Sequence, residues 1–401
     1  MSIEPFSLPF SAEAVADLQR RIAQTRWPDE VLGSEWEYGC DQQFVRELSS
    51  YWKESFDWKR QLELMANFHH YQYCSGDLRI HFIHERGRGP NPIPLVLTHG
   101  WPGSFVEMLS IIPLLTDPAA HGADASDSFD VVVPSLPGYG FSDRPTTPGM
   151  NTFGTAELWV QLMAELGYRR FAAQGGDIGA SVTTILGLRH ADRILGIHLN
   201  YIPGSFRPYL RSDVELSSSE REFLSRAAKW REDCGGYSHL QSTRPQTAAY
   251  GLNDSPAGLA GWITEKFREW SDCNGDIYSR FSKDELLSNV TLYWMTQTIH
   301  SSFRMYFEAR KAPLQFGPDD FVVIPCAVAH FPKELPFPPR EWVQRGFNVT
   351  QWTEMPRGGH FAAAEEPELL AADLRAFFRQ FRDGAHTRHL SGVGCGSETR
   401  T

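Results

Sequence analysis

The chain has 401 residues, and its 38 basic and 49 acidic side chains give a formal net charge of −11. The hydrophobic fraction of 41% and the charged fraction of 22% are ordinary for a globular protein, which excludes a disordered chain, a coiled coil and a collagen-like fibre. The acidic balance disfavours a nucleic-acid partner, because proteins that bind nucleic acids present a basic face.

Nothing in the sequence predicts a membrane span or a bound metal. No window holds 18 consecutive apolar residues, and the first ten residues lack the basic start and apolar run of a secretory signal. Six scattered cysteines without a CxxC pair disfavour a zinc or disulfide framework and fit a reducing compartment. We therefore expect a cytoplasmic protein that uses neither a metal nor an organic cofactor.

The first 75 residues predict a helical extension. Ser11 to Thr25 places apolar side chains on one helical face behind a serine that can cap the helix. Gln43 to Phe56 repeats that pattern, and its aromatic residues lie on the apolar face.

From residue 76 onwards the pattern alternates between strands and helices, which predicts an α/β fold with a mostly parallel sheet. Predicted strands are Leu78–His84, Ile93–Thr98, Phe129–Pro134, Phe171–Gln174, Ile194–Leu199 and Val322–Val328, and predicted helices are Ala156–Leu166, Ala180–Arg189 and Glu368–Phe381.

The alternation is interrupted by a helical stretch, which divides the chain into five parts. We expect an N-terminal extension over 1–75, a core over 76–203 and 314–382, and a helical lid over 204–313. The remaining residues, 383–401, are rich in Gly, Ser and Thr and are expected to be disordered.

A candidate nucleophile follows the predicted strand that ends at Gln174. Gly175-Gly176-Asp177-Ile178-Gly179 has the small-x-nucleophile-x-small form of a nucleophile elbow, with Asp177 where serine is commoner. The sharp turn requires residues with little or no side chain two positions before and after the nucleophile. On its own, this pentapeptide fits a glycine-rich turn with a capping Asp equally well.

Two further motifs stand in the order that this fold requires. His99-Gly100-Trp101-Pro102-Gly103 follows an apolar strand, where the loop supplies one N–H group of an oxyanion hole. That donor would be Trp101, and Ile178, directly after the nucleophile, would supply the other. Gly358-Gly359-His360 precedes the last helix and predicts His360 as the general base.

The acid that orients His360 has two candidates after the strand Val322–Val328, Glu334 and Glu341. We favour Glu334, because it follows the strand closely, whereas Glu341 begins a predicted surface helix. The other usual place for this acid, after Leu199, holds Asn200 and no carboxylate.

An aspartate nucleophile predicts attack on a saturated carbon. The carboxylate is already ionised at neutral pH and needs no base to activate it. Two leaving groups are plausible. Halide release needs N–H donors around the anion, whereas epoxide opening needs an acid such as a tyrosine hydroxyl for the developing alkoxide.

The chain resembles the microsomal-type epoxide hydrolases and their fungal and bacterial relatives from Phe6 to Arg382. The resemblance is carried by RWPD at Arg26–Asp29, HGWPGS at His99–Ser104, PSLPGYGFS at Pro134–Ser142, GGDIG at Gly175–Gly179 and RGGHFAA at Arg357–Ala363. It implies the α/β-hydrolase fold with a helical lid and an N-terminal extension, a small apolar epoxide and water as substrates, and a vicinal diol as product.

The resemblance also implies roles for individual residues. Asp177 matches the nucleophile and His360 the base. Mammalian members carry the acid at a position that is Ala327 here, whereas fungal members carry it in a Phe-Pro-Lys-Asp-Leu segment that matches FPKEL and therefore Glu334. Tyr237 and Tyr306 match the lid tyrosines that hold and protonate the epoxide oxygen.

Two alternative functions remain on this fold. A haloalkane or haloacid dehalogenase shares the aspartate nucleophile, and an inactive member of the fold could bind ligands without turnover. A homodimer is compatible with an N-terminal extension that can contact a second subunit.

Overall fold

A nine-stranded mixed sheet forms the centre of the molecule in the computed structural model, which describes residues 2–382. The strands are β1 (Ser2–Pro5), β2 (His70–Ser75), β3 (Leu78–Glu85), β4 (Ile93–Thr98), β5 (Phe129–Pro134), β6 (Phe171–Gly175), β7 (Ile194–Leu199), β8 (Val322–His330) and β9 (Phe347–Glu354). Their order is β1-β2-β3-β5-β4-β6-β7-β8-β9. Strands β4 to β9 run parallel to their neighbours among themselves, and β1, β2 and β3 pair antiparallel at one end. The predicted fold class, an α/β hydrolase with a mostly parallel sheet, is confirmed.

Helices cover both faces of this sheet. Those of the described residues are α1 (Ala12–Ala23), α2 (Gln42–Glu54), α3 (Trp58–Met65), α4 (Ile111–Thr116), α5 (Thr152–Glu165), α6 (Asp177–Arg189), α7 (Ser218–Cys234), α8 (Gly236–Thr243), α9 (Pro245–Leu252), α10 (Pro256–Trp270), α11 (Lys283–Thr296), α12 (Ile299–Lys311), α13 (Arg340–Gln344), α14 (Ala362–Glu365) and α15 (Pro367–Phe378). Helices α5 and α6 pack on one face, and α4 and α15 pack on the other.

Strand β4 shows why the central strands read as continuous apolar runs. Successive side chains of a strand point to opposite faces, so Val96 joins the core beneath α5 and α6 while Leu95 and Leu97 join the core beneath α4 and α15. Both faces are covered, and both therefore require apolar side chains.

The N-terminal extension contains strands as well as the predicted helices. β1 pairs with β2, and β2 pairs with β3 of the core, so the extension continues the sheet. Its helices α1, α2 and α3 contact the lid helices α10 and α11. The Tyr51 hydroxyl donates a hydrogen bond to Asp284 of α11 at 2.8 Å, and Arg21 pairs with Asp254 at 2.7 Å. The extension thus packs against both the sheet and the lid.

The predicted lid region contains the six helices α7 to α12, of which α8 and α9 pack against α12. The expectation of a disordered tail concerns 383–401, which lie outside the described residues. No helix between residues 2 and 382 is long and apolar enough to cross a membrane.

Candidate active site

Asp177 occupies a strained turn between β6 and α6. It is the first residue of α6, and its φ of 47° lies in the left-handed region, which non-glycine residues seldom adopt. A Cβ atom on Gly179 would collide with the carbonyl oxygen of Thr98, and one on Gly175 would collide with the backbone of Gly179. The glycines of the elbow are therefore required by close packing, and they leave the Asp177 carboxylate at the helix N-terminus, where the helix dipole favours an anion.

The loop after β4 lies directly against Asp177. The Trp101 N–H donates a hydrogen bond to Oδ1 of Asp177 at 2.8 Å. Gly100 is needed here, since a Cβ atom on it would overlap the Asp177 side chain. Ile178 follows Asp177 in the first turn of α6, as the predicted oxyanion pair requires.

His360 lies between the two carboxylates of the predicted triad. Its Nδ1 atom is 2.6 Å from Oε1 of Glu334, and its Nε2 atom is 3.6 Å from Oδ2 of Asp177. The loops that carry Glu334 and His360 are joined by a hydrogen bond from the Lys333 N–H to the Gly358 carbonyl, 3.1 Å long. The structure thus brings the three predicted side chains together.

The two carboxylates control the protonation of His360. Burial lowers the pKa of the imidazole, but the negative charges of Glu334 and Asp177 outweigh it and raise that pKa well above the usual 6.5. In the free protein the surroundings of His360 therefore favour its imidazolium form.

Of the acid candidates, only Glu334 reaches His360. Its side chain is fully buried and also accepts a hydrogen bond from the Leu335 N–H at 2.7 Å. Glu341 instead accepts hydrogen bonds from Ser217 and Ser219 at the start of α7, so it lies at the protein surface where the core meets the lid. Ala327 is buried within β8.

The lid brings Tyr237 and Tyr306 over the oxyanion loop. Tyr237, from α8, stacks on the Trp101 ring at a centroid distance of 5.2 Å, and Tyr306, from α12, meets the same ring edge-on at 6.0 Å. The two tyrosine rings lie 6.1 Å apart. Burial and the nearby Asp177 carboxylate raise the pKa of both phenols well above 10, so both hydroxyls keep their protons at neutral pH.

A cavity of about 880 Å³ extends under the lid from this point. Asp177, Ile178 and both lid tyrosines line it, together with apolar side chains of the lid and of the loops beneath it, Phe223, Leu224, Met305, Leu314 and Leu335. The volume and the largely apolar wall suit a small organic ligand.

Several neighbours of the triad carry no motif in the sequence. Tyr201, at the end of β7, and Trp270, at the end of α10, both meet the His360 ring edge-on, at 5.6 and 5.1 Å. The Trp270 carbonyl also accepts a hydrogen bond from the His360 N–H at 2.9 Å. A second buried carboxyl, that of Glu107, lies near the oxyanion loop. In the sequence Glu107 follows HGWPGS by two residues but belongs to none of the motifs given above.

Comparison with known proteins identifies the family of the chain. The family described as "Epoxide hydrolase N terminus" matches residues 3–108, and the family described as "alpha/beta hydrolase fold" matches residues 93–234. Epoxide hydrolase 1 of Oryctolagus cuniculus is 38% identical over 407 residues, covering 94% of this chain and 88% of the relative. The chain belongs to the microsomal-type epoxide hydrolase family.

Further relatives agree with this assignment. A protein of Stigmatella aurantiaca is 44% identical over 381 residues, covering 95% of this chain and 86% of the relative. The structure of Aspergillus niger epoxide hydrolase superposes with a TM-score of 0.81 at 30% identity, covering 95% of this chain and 97% of that one. The prediction of an epoxide hydrolase is thus confirmed at the level of the family.

Within residues 2–382 no three His, Cys, Asp or Glu side chains are grouped so that they could hold a metal ion.

Proposed function

We propose that the protein hydrolyses a small apolar epoxide to a vicinal diol through an ester on Asp177. The observation that carries this proposal is the position of Asp177, which has His360 on one side and the tyrosine-lined cavity on the other.

In the first step, Oδ2 of Asp177 attacks a ring carbon of the epoxide. The carbon–oxygen bond of the ring breaks with inversion at that carbon, and the electron pair moves to the epoxide oxygen. Tyr237 and Tyr306 donate hydrogen bonds to this oxygen, and one of them protonates it. Their raised pKa values keep both phenols protonated until the alkoxide forms.

In the second step, His360 removes a proton from water, and the hydroxide attacks the ester carbon of Asp177. The carbonyl oxygen becomes an oxyanion, held by the N–H groups of Trp101 and Ile178. Collapse releases the diol oxygen, which takes the proton from His360. Asp177 is left as a carboxylic acid, and the loss of its proton balances the return of a proton to the tyrosine that protonated the epoxide oxygen. Glu334 stabilises the imidazolium and holds the ring in orientation.

The test is a single turnover of styrene oxide, an apolar probe, in heavy-oxygen water. The proposal requires unlabelled oxygen in the first diol and heavy oxygen in the peptide that carries Asp177. Heavy oxygen in the first diol, with none in the peptide, would exclude the ester. A haloalkane of matched size tests the dehalogenase alternative, since halide release faster than diol formation would favour it. Binding of the epoxide without turnover would favour an inactive member.

A further inference from the structure

A small second cavity adjoins Asp177. Its volume is about 20 Å³, and a single water molecule needs roughly 10–15 Å³ of such space. Asp177 and His360 both line it, together with Glu107, Gln174 and Asn200. The two lid tyrosines line only the large cavity. Asp177 therefore borders both cavities, and His360 faces the small one.

The Glu107 carboxyl group, which lines this cavity, is bound to the backbone of the oxyanion loop. The Gly100 N–H donates a long hydrogen bond of 3.4 Å to Oε1 of Glu107, and the next N–H, that of Trp101, donates to Asp177 at 2.8 Å. Two consecutive backbone N–H groups, those of Gly100 and Trp101, thus bind the carboxyl groups of Glu107 and Asp177. Although Glu107 is only half-buried as a residue, its carboxyl group is surrounded by protein.

The lining of the small cavity also includes a hydrogen-bond acceptor without a partner. Gln174 is buried at the end of β6, and its Nε2 donates a hydrogen bond to Oδ1 of Asn200 at 2.7 Å. Its Oε1 atom has no hydrogen-bond partner among residues 2–382. Buried polar atoms are normally paired with protein or water, so this oxygen calls for a donor such as a water hydrogen.

We propose that Glu107 and Gln174 bind the water molecule that hydrolyses the Asp177 ester. This rests on the proposed function above. The water gives one hydrogen to Nε2 of His360 and keeps the other in a hydrogen bond to Oε1 of Gln174, while the uncharged Glu107 carboxyl donates a hydrogen bond to the water oxygen. Its oxygen then forms a bond to the Asp177 ester carbon, and the diol oxygen leaves with the proton held by His360.

The protonation of Glu107 suits this position. Burial raises the pKa of its carboxyl to about 8, so at neutral pH the group is mostly an uncharged acid. It can therefore lie beside the Asp177 carboxylate and still donate and accept hydrogen bonds.

The experiment is rapid-quench analysis of styrene oxide turnover by the wild type and by Glu107→Leu, Glu107→Gln and Gln174→Met. The ester on the Asp177 peptide and the diol are measured separately, and thermal unfolding checks that each variant is folded. We expect the Leu and Met variants to form the ester within about threefold of the wild-type rate and to hydrolyse it at least about tenfold more slowly. Glu107→Gln keeps a donor and an acceptor and should recover most of the loss. Glu220→Gln, which removes a buried glutamate of the lid paired with Arg345, is the matched control and should hydrolyse the ester normally.

The outcomes separate this proposal from the proposed function. A wild type that never forms the ester would overturn both. If folded Glu107→Leu and Gln174→Met variants form the ester normally and hydrolyse it at the wild-type rate, only the proposed water site is overturned. Equal slowing of both steps would also overturn it, since it would indicate a structural role. If Glu107→Leu does not fold, Gln174→Met decides the question.

Discussion

Changing Glu334 to Gln should separate the two half-reactions. The substitution keeps the size of the side chain and removes the charge that lies 2.6 Å from Nδ1 of His360. In the proposed mechanism, ester formation needs the Asp177 carboxylate and the lid tyrosines, whereas ester hydrolysis needs His360 as a base. We therefore expect the second step to slow far more than the first.

The size of the effect follows from the contact that is lost. The side chains of Glu334 and His360 are both almost fully buried, and a hydrogen bond to a charged partner contributes about 1.5–3 kcal/mol. The imidazolium that forms during hydrolysis loses that stabilisation, which corresponds to a slowing of about 10- to 150-fold. A side-chain amide can also favour the wrong tautomer of His360, so the loss can be larger.

Rapid-quench kinetics with mass spectrometry of the Asp177 peptide measures both steps. In Glu334→Gln the ester should accumulate, while its rate of formation stays within about threefold of the wild type. Glu341→Gln is the matched control, because Glu341 bonds only to the start of α7, and it should behave as the wild type. A folded Glu334→Gln enzyme that accumulates no ester would refute the assignment of this acid.

Three further predictions test the lid tyrosines, the glycine-rich turn around Asp177 and the buried carboxyl group of Glu107. Tyr237→Phe and Tyr306→Phe should each slow ester formation by about 10- to 100-fold and spare ester hydrolysis, because each removes one donor to the alkoxide; the same rapid-quench assay measures this. Gly179→Ala should lower the free energy of unfolding by about 3 kcal/mol, because its Cβ has no space, whereas Gly251→Ala, whose Cβ meets nothing within 4 Å, should be harmless in the same denaturant titration. Burial raises the pKa of Glu107 to about 8, so its contribution to stability is complete below pH ~4.5 and is lost as the pH rises towards 8. Between pH 5 and pH 8 the free energy of unfolding should therefore drop by about 3 kcal/mol more in the wild type than in Glu107→Gln, and equal drops would contradict this prediction.

The sequence predicted the central strands well and the edge of the sheet poorly. The predicted bounds of β4, β5 and β7 agree with the structure, because strands buried on both faces must be continuous apolar runs. The extension was predicted as helical, but it also contributes β1 (SIEP) and β2 (HYQYCS). These short segments lack a clear apolar alternation, and their strand state depends on pairing with β3, which no local pattern encodes.

The candidate site divides in a similar way. Asp177 and His360 could be located from the sequence because their turns demand glycines at fixed positions, which leave a visible motif. The choice between Glu334 and Glu341 depends on which of them the fold brings next to His360. The short distance of Glu334 from the end of the predicted strand favoured Glu334 but did not decide the matter. Glu107 could not be singled out, because a glutamate becomes a buried acid only through the packing around it.

The charges of the site give an order to the two steps. While Asp177 is ionised, it and Glu334 together raise the pKa of His360, which stabilises the imidazolium and disfavours the neutral ring that a base requires. Ester formation removes the charge of Asp177 and with it one of the two causes of that raised pKa. The pKa of His360 must then fall, and the ring becomes able to accept a proton from water. In the proposed mechanism Asp177 therefore acts twice: its carboxylate is the nucleophile of the first step, and the loss of its charge lets His360 act as a base in the second step.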